Sequence, residues 1–114
     1  MIKNDFLLKQ IEELIHFLLT LVYPGGHIDE EKDKTTRSAL FKKLEELIDK
    51  GLYNQAEDYL FDAFDRGEAD LQTGVLFYDK LLAIPEKELK AGEFSIKEIQ
   101  TGLNDYAKLF HIDI

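Results

Sequence analysis

Residues 4–23 read NDFLLKQIEELIHFLLTLVY, and this stretch decides the fold. On a helix at about 100° per residue, Phe6, Leu7, Leu8, Ile11, Leu14, Ile15, Phe17, Leu18, Leu19, Leu21 and Val22 fill a contiguous arc of roughly 220°. An ordinary surface helix carries an apolar stripe of about 100° or a little more. This helix therefore has to be covered on two sides, by its own chain, by a second copy, or by both. The segment is too short, and through Glu12, Glu13 and His16 too polar, to span a bilayer.

Outward from it, apolar residues recur at helical spacing and the alternation of a strand is absent, so five helices are expected. The first runs from Asn4, its cap, to Val22, and Pro24-Gly25-Gly26 ends it. Residues 24–35, with the charged run HIDEEKDK at 27–34, read as a mobile linker. The second helix spans Thr36 to Lys50 with Leu40, Leu44, Leu47 and Ile48 on one face, and Gly51 caps it. The third spans Asn54 to Arg66, with Asn54 and Glu57 forming a capping box and Gly67 ending it. The fourth spans Asp70 to Ile84 before Pro85, with an apolar arc of roughly 180° that marks it as central. Glu86 to Phe94 reads as a connection. The fifth begins at Ser95, where Ser95 and Glu98 make a capping box and Phe94 staples onto Ile99. Gly74 lies on the apolar arc of the fourth helix, where it allows a close helix approach; Gly102 lies at the margin of the fifth helix's stripe.

The 114 residues suit a single domain, residues 1–114, large enough to bury a core. There is no cysteine, hence no disulfide framework and no thiolate metal site. Acids outnumber bases 23 to 14, a formal net charge of -9, which opposes binding to nucleic acid and to anionic membrane. The start of the chain lacks the basic segment and small-residue cleavage site of a signal peptide, so a cytoplasmic protein is expected.

The spacing Gly51, Tyr53, Ala56, Leu60, Ala63 resembles the second half of a tetratricopeptide repeat, in which small residues let two antiparallel helices approach. A second pair would start about 34 residues on, at Asp70. The chain as a whole also resembles a family of short, uncharacterised, all-helical proteins of low-GC Gram-positive bacteria. Asn4-Asp5-Phe6-Leu7 with Gln10-Ile11-Glu12, and Gly51-Leu52-Tyr53 with Ala56-Glu57, carry that resemblance, which implies no activity.

Chemistry has little to work with. Glu13 and His16 make an E-x-x-H, the spacing of carboxylate-bridged di-metal bundles, but no second such pair exists, and both fall on the polar side of the first helix. Asp29, Glu30, Glu31 and Asp33 lack the alternate donors and central glycine of a calcium loop. Ser38 lies in a first helical turn, Ser95 is a cap, and no strand precedes a glycine-rich turn, so nucleophile and phosphate-loop readings fail. Helices two and three cannot read DNA, because Glu57, Asp58, Asp62 and Asp65 would repel phosphate.

Charge is more informative. Residues 54–79 hold seven acids and one base, -6 of the total -9. Asp58, Asp62 and Asp65 line one face of the third helix with Phe61 at its edge. Unpaired acids around an aromatic suit a basic, amphipathic partner, although a solubilising face would carry the same residues. The expected architecture is all-α: five helices in an array of antiparallel, tetratricopeptide-like hairpins, with the apolar first helix central or at a dimer interface. A homodimer is expected, with Leu7, Leu8, Ile11, Ile15, Leu18, Leu19 and Val22 at the interface. The expected function is a non-catalytic protein-interaction or regulatory module without cofactor, whose partner surface is Asp58, Phe61, Asp62 and Asp65. The alternative is a small helical protein that binds an apolar ligand or a metal ion beside the first helix.

Overall fold

The computed structural model describes residues 5–22 and 30–112, with side chains from residue 39 onward in the second stretch. The described residues form six helices and no strand: α1 Asp5–Val22, α2 Glu30–Asp49, α3 Tyr53–Asp65, α4 Leu71–Leu82, α5 Glu86–Ala91 and α6 Ile96–Leu109. The expected cap at Asn4, the stop at Pro24-Gly25-Gly26 and linker residues 24–29 lie outside the described residues.

Two expectations need correction. Residues 30–35 are not linker, because α2 begins at Glu30. This stretch is rich in Glu and Lys, both strong helix formers, and a helix already nucleated extends through such residues without needing apolar contacts. The connection after Pro85 is also not irregular, because it holds α5, one and a half turns long. Leu89 is its one buried residue and anchors it to the core. A helix that short has too few positions to show a period, so its pattern was not readable.

Helix α4 is the hub and packs against α1, α2 and α6, while α2 packs on α3 and α1 also meets α6. Its residues Gly74, Val75, Phe77, Tyr78 and Leu81 are buried. Leu44 and Ile48 of α2, Ala56, Leu60 and Ala63 of α3, and Ile99, Leu103, Tyr106 and Ala107 of α6 close the core around it. Lys80 of α4 pairs with Glu45 of α2 at 3.4 Å on the surface. From α1 only Ile11, Ile15 and Leu18 are fully buried. Among the described residues, one side of α1 is therefore covered and another is left open.

The helix ends show how the sequence punctuates the fold. Asp70 caps α4 by accepting the Thr73 amide at 2.8 Å, and Ser95 caps α6 by accepting the Glu98 amide at 3.1 Å. Gly51 and Gly67 take positive φ just past α2 and α3. There the amides of Leu52 and Glu68 reach back to the carbonyls of Leu47 and Ala63, closing the last turn of each helix. The expected box at the start of α3 does not form. Leu52 occupies the cap position without a side-chain bond, and Asn54 instead donates through Nδ2 to the Glu93 carbonyl at 3.1 Å, tying α3 to the end of α5.

Candidate functional site

The contact between α4 and α6 sets the site. Both helices carry Gly-x-x-x-Tyr, residues 74–78 in α4 and 102–106 in α6. A methyl group on Gly74 would occupy the Tyr106 ring, and one on Gly102 would lie 2.5 Å from the Tyr78 hydroxyl oxygen and against a Glu57 carboxylate oxygen. Each helix thus accepts the other's tyrosine where its own side chain is missing. Since 74 meets 106 and 78 meets 102, the two helices run in opposite directions. This supplies the reason for Gly102 that the helical stripe alone did not. Tyr106 reaches past Gly74 and donates to the Asp70 carbonyl at 2.7 Å. Tyr78 passes Gly102 and donates to Glu57 Oε2 of α3 at 2.6 Å.

Over Gly102, α3 and α6 leave an open groove of about 330 Å³ lined by Glu57, Asp58, Phe61, Glu98, Thr101, Gly102 and Asp105. Four of these are carboxylates and none is a base. Burial pushes the Glu57 carboxyl above its ordinary value; the Tyr78 hydrogen bond opposes that rise, and the charges of Glu98, Asp58 and Asp105 add to it. Burial and then the Glu57 charge push the Tyr78 phenol up, so it stays a protonated donor at neutral pH. Glu57 is half-buried, whereas Asp58, Glu98 and Asp105 are exposed around it. Like charges gathered at one groove attract an incoming cation more strongly than the same charges spread over a surface.

The sequence placed the partner surface on Asp58, Phe61, Asp62 and Asp65. The structure brings Asp58 and Phe61 to the groove, while Asp62 and Asp65 are exposed on α3 outside its lining. Phe61 is half-buried, its ring edge-on to Tyr106 at 5.5 Å between centroids. Phe64 and Phe110 join it around Tyr106, so the rings form a firm wall rather than a free aromatic. Sequence reasoning missed Glu57, Glu98, Thr101, Gly102 and Asp105. A signal existed: residues 98, 101, 102 and 105 follow the i, i+3, i+4, i+7 spacing of one helical face. Glu57 reads locally as a capping partner of Asn54, and nothing local shows that α6 meets α3 at that point.

A second open groove, of about 540 Å³, is lined by Ile48, Asp49, Lys50, Gly51, Tyr53, Ile84, Glu88, Ala91 and Gly92. It carries both signs of charge and no convergence of like groups. Neither groove is lined by a residue of α1. Glu13 and His16 are exposed, and among the described residues no group of three or more histidines and acids is placed to hold a metal ion. No helix among the described residues is long and apolar enough to cross a membrane.

Of the residues expected at a subunit interface, Ile11, Ile15 and Leu18 are buried within the chain. Leu7, Leu8 and Leu19 are half-buried against the same core, and Val22 is half-buried. The large apolar residues that α1 leaves exposed are Phe6, Phe17 and Leu21.

No curated protein and no solved structure matches the chain. The model of a family of unknown function, DUF6483, matches residues 1–111, which is nearly the whole sequence, and the chain belongs to that family.

Proposed function

We propose that the protein is a non-catalytic interaction or regulatory module that docks a basic, amphipathic segment of another protein in the groove between α3 and α6. The observation behind this reading is the convergence of Glu57, Asp58, Glu98 and Asp105 beside Phe61, from two helices and without a base among them. A lysine or arginine entering there meets several carboxylates at once, and its aliphatic stem lies along Phe61. Asp62 and Asp65, one and two turns along α3 from Asp58, extend the field that draws the partner in.

The same proposal covers the surroundings of this surface. The α2–α3 pair, with Gly51 at its turn and Ala56 and Ala63 buried, is tetratricopeptide-like, and the family's range is that of low-GC Gram-positive bacteria. The protein works in the cytoplasm as a homodimer with α1 at the interface.

The test is binding of synthetic helical peptides to immobilised protein. A lysine- and arginine-rich amphipathic peptide should bind, its glutamate-substituted twin should not, and binding should weaken as salt rises. The double variant Asp58→Lys, Asp105→Lys should lose at least tenfold in affinity. Equal binding of both peptides, or an unaffected double variant, contradicts the proposal.

A further inference from the structure

We infer that a second copy of this chain covers the open side of α1, through a parallel, in-register helix pair centred on Gln10, Leu14 and Phe17. The inference rests on the homodimer reading above and names its contact. Gln10, Leu14, Phe17 and Leu21 repeat at the four, three, four spacing of a coiled-coil seam, and Phe6 extends the line by one turn. On an ideal helix the line lies about 110° round from Ile11, Ile15 and Leu18, the residues that face the core. Phe6 is 73% exposed, Phe17 45% and Leu21 48%, and Gln10 is exposed as well, while Leu14 is half-buried and packs in part against the core.

The spacing calls for a helix as occupant, since only a helix presents knobs at the same interval along roughly 22 Å. The composition calls for an uncharged one. No residue in the line is ionised, so a basic or acidic partner helix would bury its charge without a counter-charge. An identical seam is the matching surface on the page, and two-fold pairing makes it self-complementary. Gln10 fixes the direction. In a parallel pair each Gln10 amide meets its twin, donor to acceptor, whereas an antiparallel pair sets it against Phe17 and leaves it unsatisfied. Parallel pairing also puts the two folded bodies on opposite sides of the helix pair, where they do not collide. With its flanking residues the seam buries on the order of 1,000 Å² in total, the lower bound of specific interfaces.

Sedimentation velocity on the full chain over a micromolar concentration series tests this. The mass should climb from 13.2 kDa toward twice that value. The double variant Phe17→Glu, Leu21→Glu should stay at the monomer mass with unchanged helix content. A second readout uses the absence of cysteine. Gln10→Cys should form a disulfide-linked dimer under mild oxidation, and His16→Cys, on the polar side of α1, should not. A monomer at every concentration overturns both the dimer and the seam. A dimer that survives the double variant overturns the seam alone. A dimer in which Gln10→Cys links no faster than His16→Cys overturns the parallel register.

Discussion

The ring of Tyr106 lies where a side chain on Gly74 would have to be, and its hydroxyl donates to the carbonyl of Asp70 one turn before that glycine, at 2.7 Å. Tyr78 and Gly102 repeat the arrangement in reverse, with Glu57 as the acceptor. Glycine inside a helix ordinarily destabilises it by about 1 kcal/mol relative to alanine. Here the two glycines let two large rings into the core at that cost, and one of the rings carries the hydroxyl that holds Glu57 at the groove.

Gly74→Ala and Gly102→Ala should therefore destabilise the fold by about 2 kcal/mol each, opposite in sign to alanine at an open helical glycine. Gly51→Ala should cost less, about 1 kcal/mol, because it meets no neighbour within 4 Å and suffers only the strain of φ +74°. Urea denaturation of the three variants checks the order. Stabilisation at 74 or 102 would show that the rings are not seated on the glycines.

Tyr78→Phe removes the hydroxyl that Glu57 accepts from. It leaves a half-buried carboxylate short of a partner and should cost about 1–3 kcal/mol at neutral pH. Glu57→Gln keeps an acceptor for Tyr78 and drops the charge, so it should cost less than Tyr78→Phe.

The raised pKa of Glu57 makes stability depend on pH. The folded chain holds this proton more tightly than the unfolded chain, whose carboxyl titrates near the ordinary 4.5. Folding is thus favoured on the acid side, and this group's contribution is lost as pH rises from about 4.5 through the raised folded value. The difference between wild-type and Glu57→Gln stability should therefore be flat below that window and shift in favour of the variant across it. Urea midpoints of both proteins at stepped pH measure it, and parallel curves would contradict the assignment.

Ser95→Ala and Asp70→Ala each remove a cap bond to the backbone and should cost about 1 kcal/mol, a few degrees in Tm for a domain of this size. Thermal unfolding followed by circular dichroism reads both. An unchanged Tm in either variant would mean that the cap is frayed in solution.

Asp62→Lys with Asp65→Lys should slow association with a basic peptide at low salt and leave its dissociation rate nearly unchanged, because these acids stand outside the groove. Asp58→Lys with Asp105→Lys should raise the dissociation rate. Surface plasmon resonance separates the two. Equal effects would return the partner surface to the whole acidic face of α3.

What the sequence disclosed follows the range of each signal. Ser95, Gly51 and Gly67 act within a turn of themselves, and Leu44, Ile48, Leu60 and Leu81 repeat at the helical period, so their roles could be read locally. Glu57 could not. It sits three residues after Asn54, as a capping partner would, yet Asn54 bonds to Glu93 and Glu57 to Tyr78, 39 and 21 residues away. Gly102 and Asp105 gained their meaning from the same long-range crossing. In α1 the width of the apolar arc was legible, but which part of it the chain would bury was not. That depended on where α4 and α6 come to rest, and they cover Ile11, Ile15 and Leu18 while Phe6, Phe17 and Leu21 stay open.

The most direct measurement is site-specific photo-cross-linking in the native cell. A photoreactive residue at Thr101, on the groove's rim, is compared with one at Lys87 on α5, outside the groove's lining. The account predicts a cross-link from 101, absent from 87, to a peptide rich in lysine and arginine, and its loss in the Asp58→Lys, Asp105→Lys background. A cross-link from 101 no stronger than from 87, or one to an acidic peptide, would contradict it.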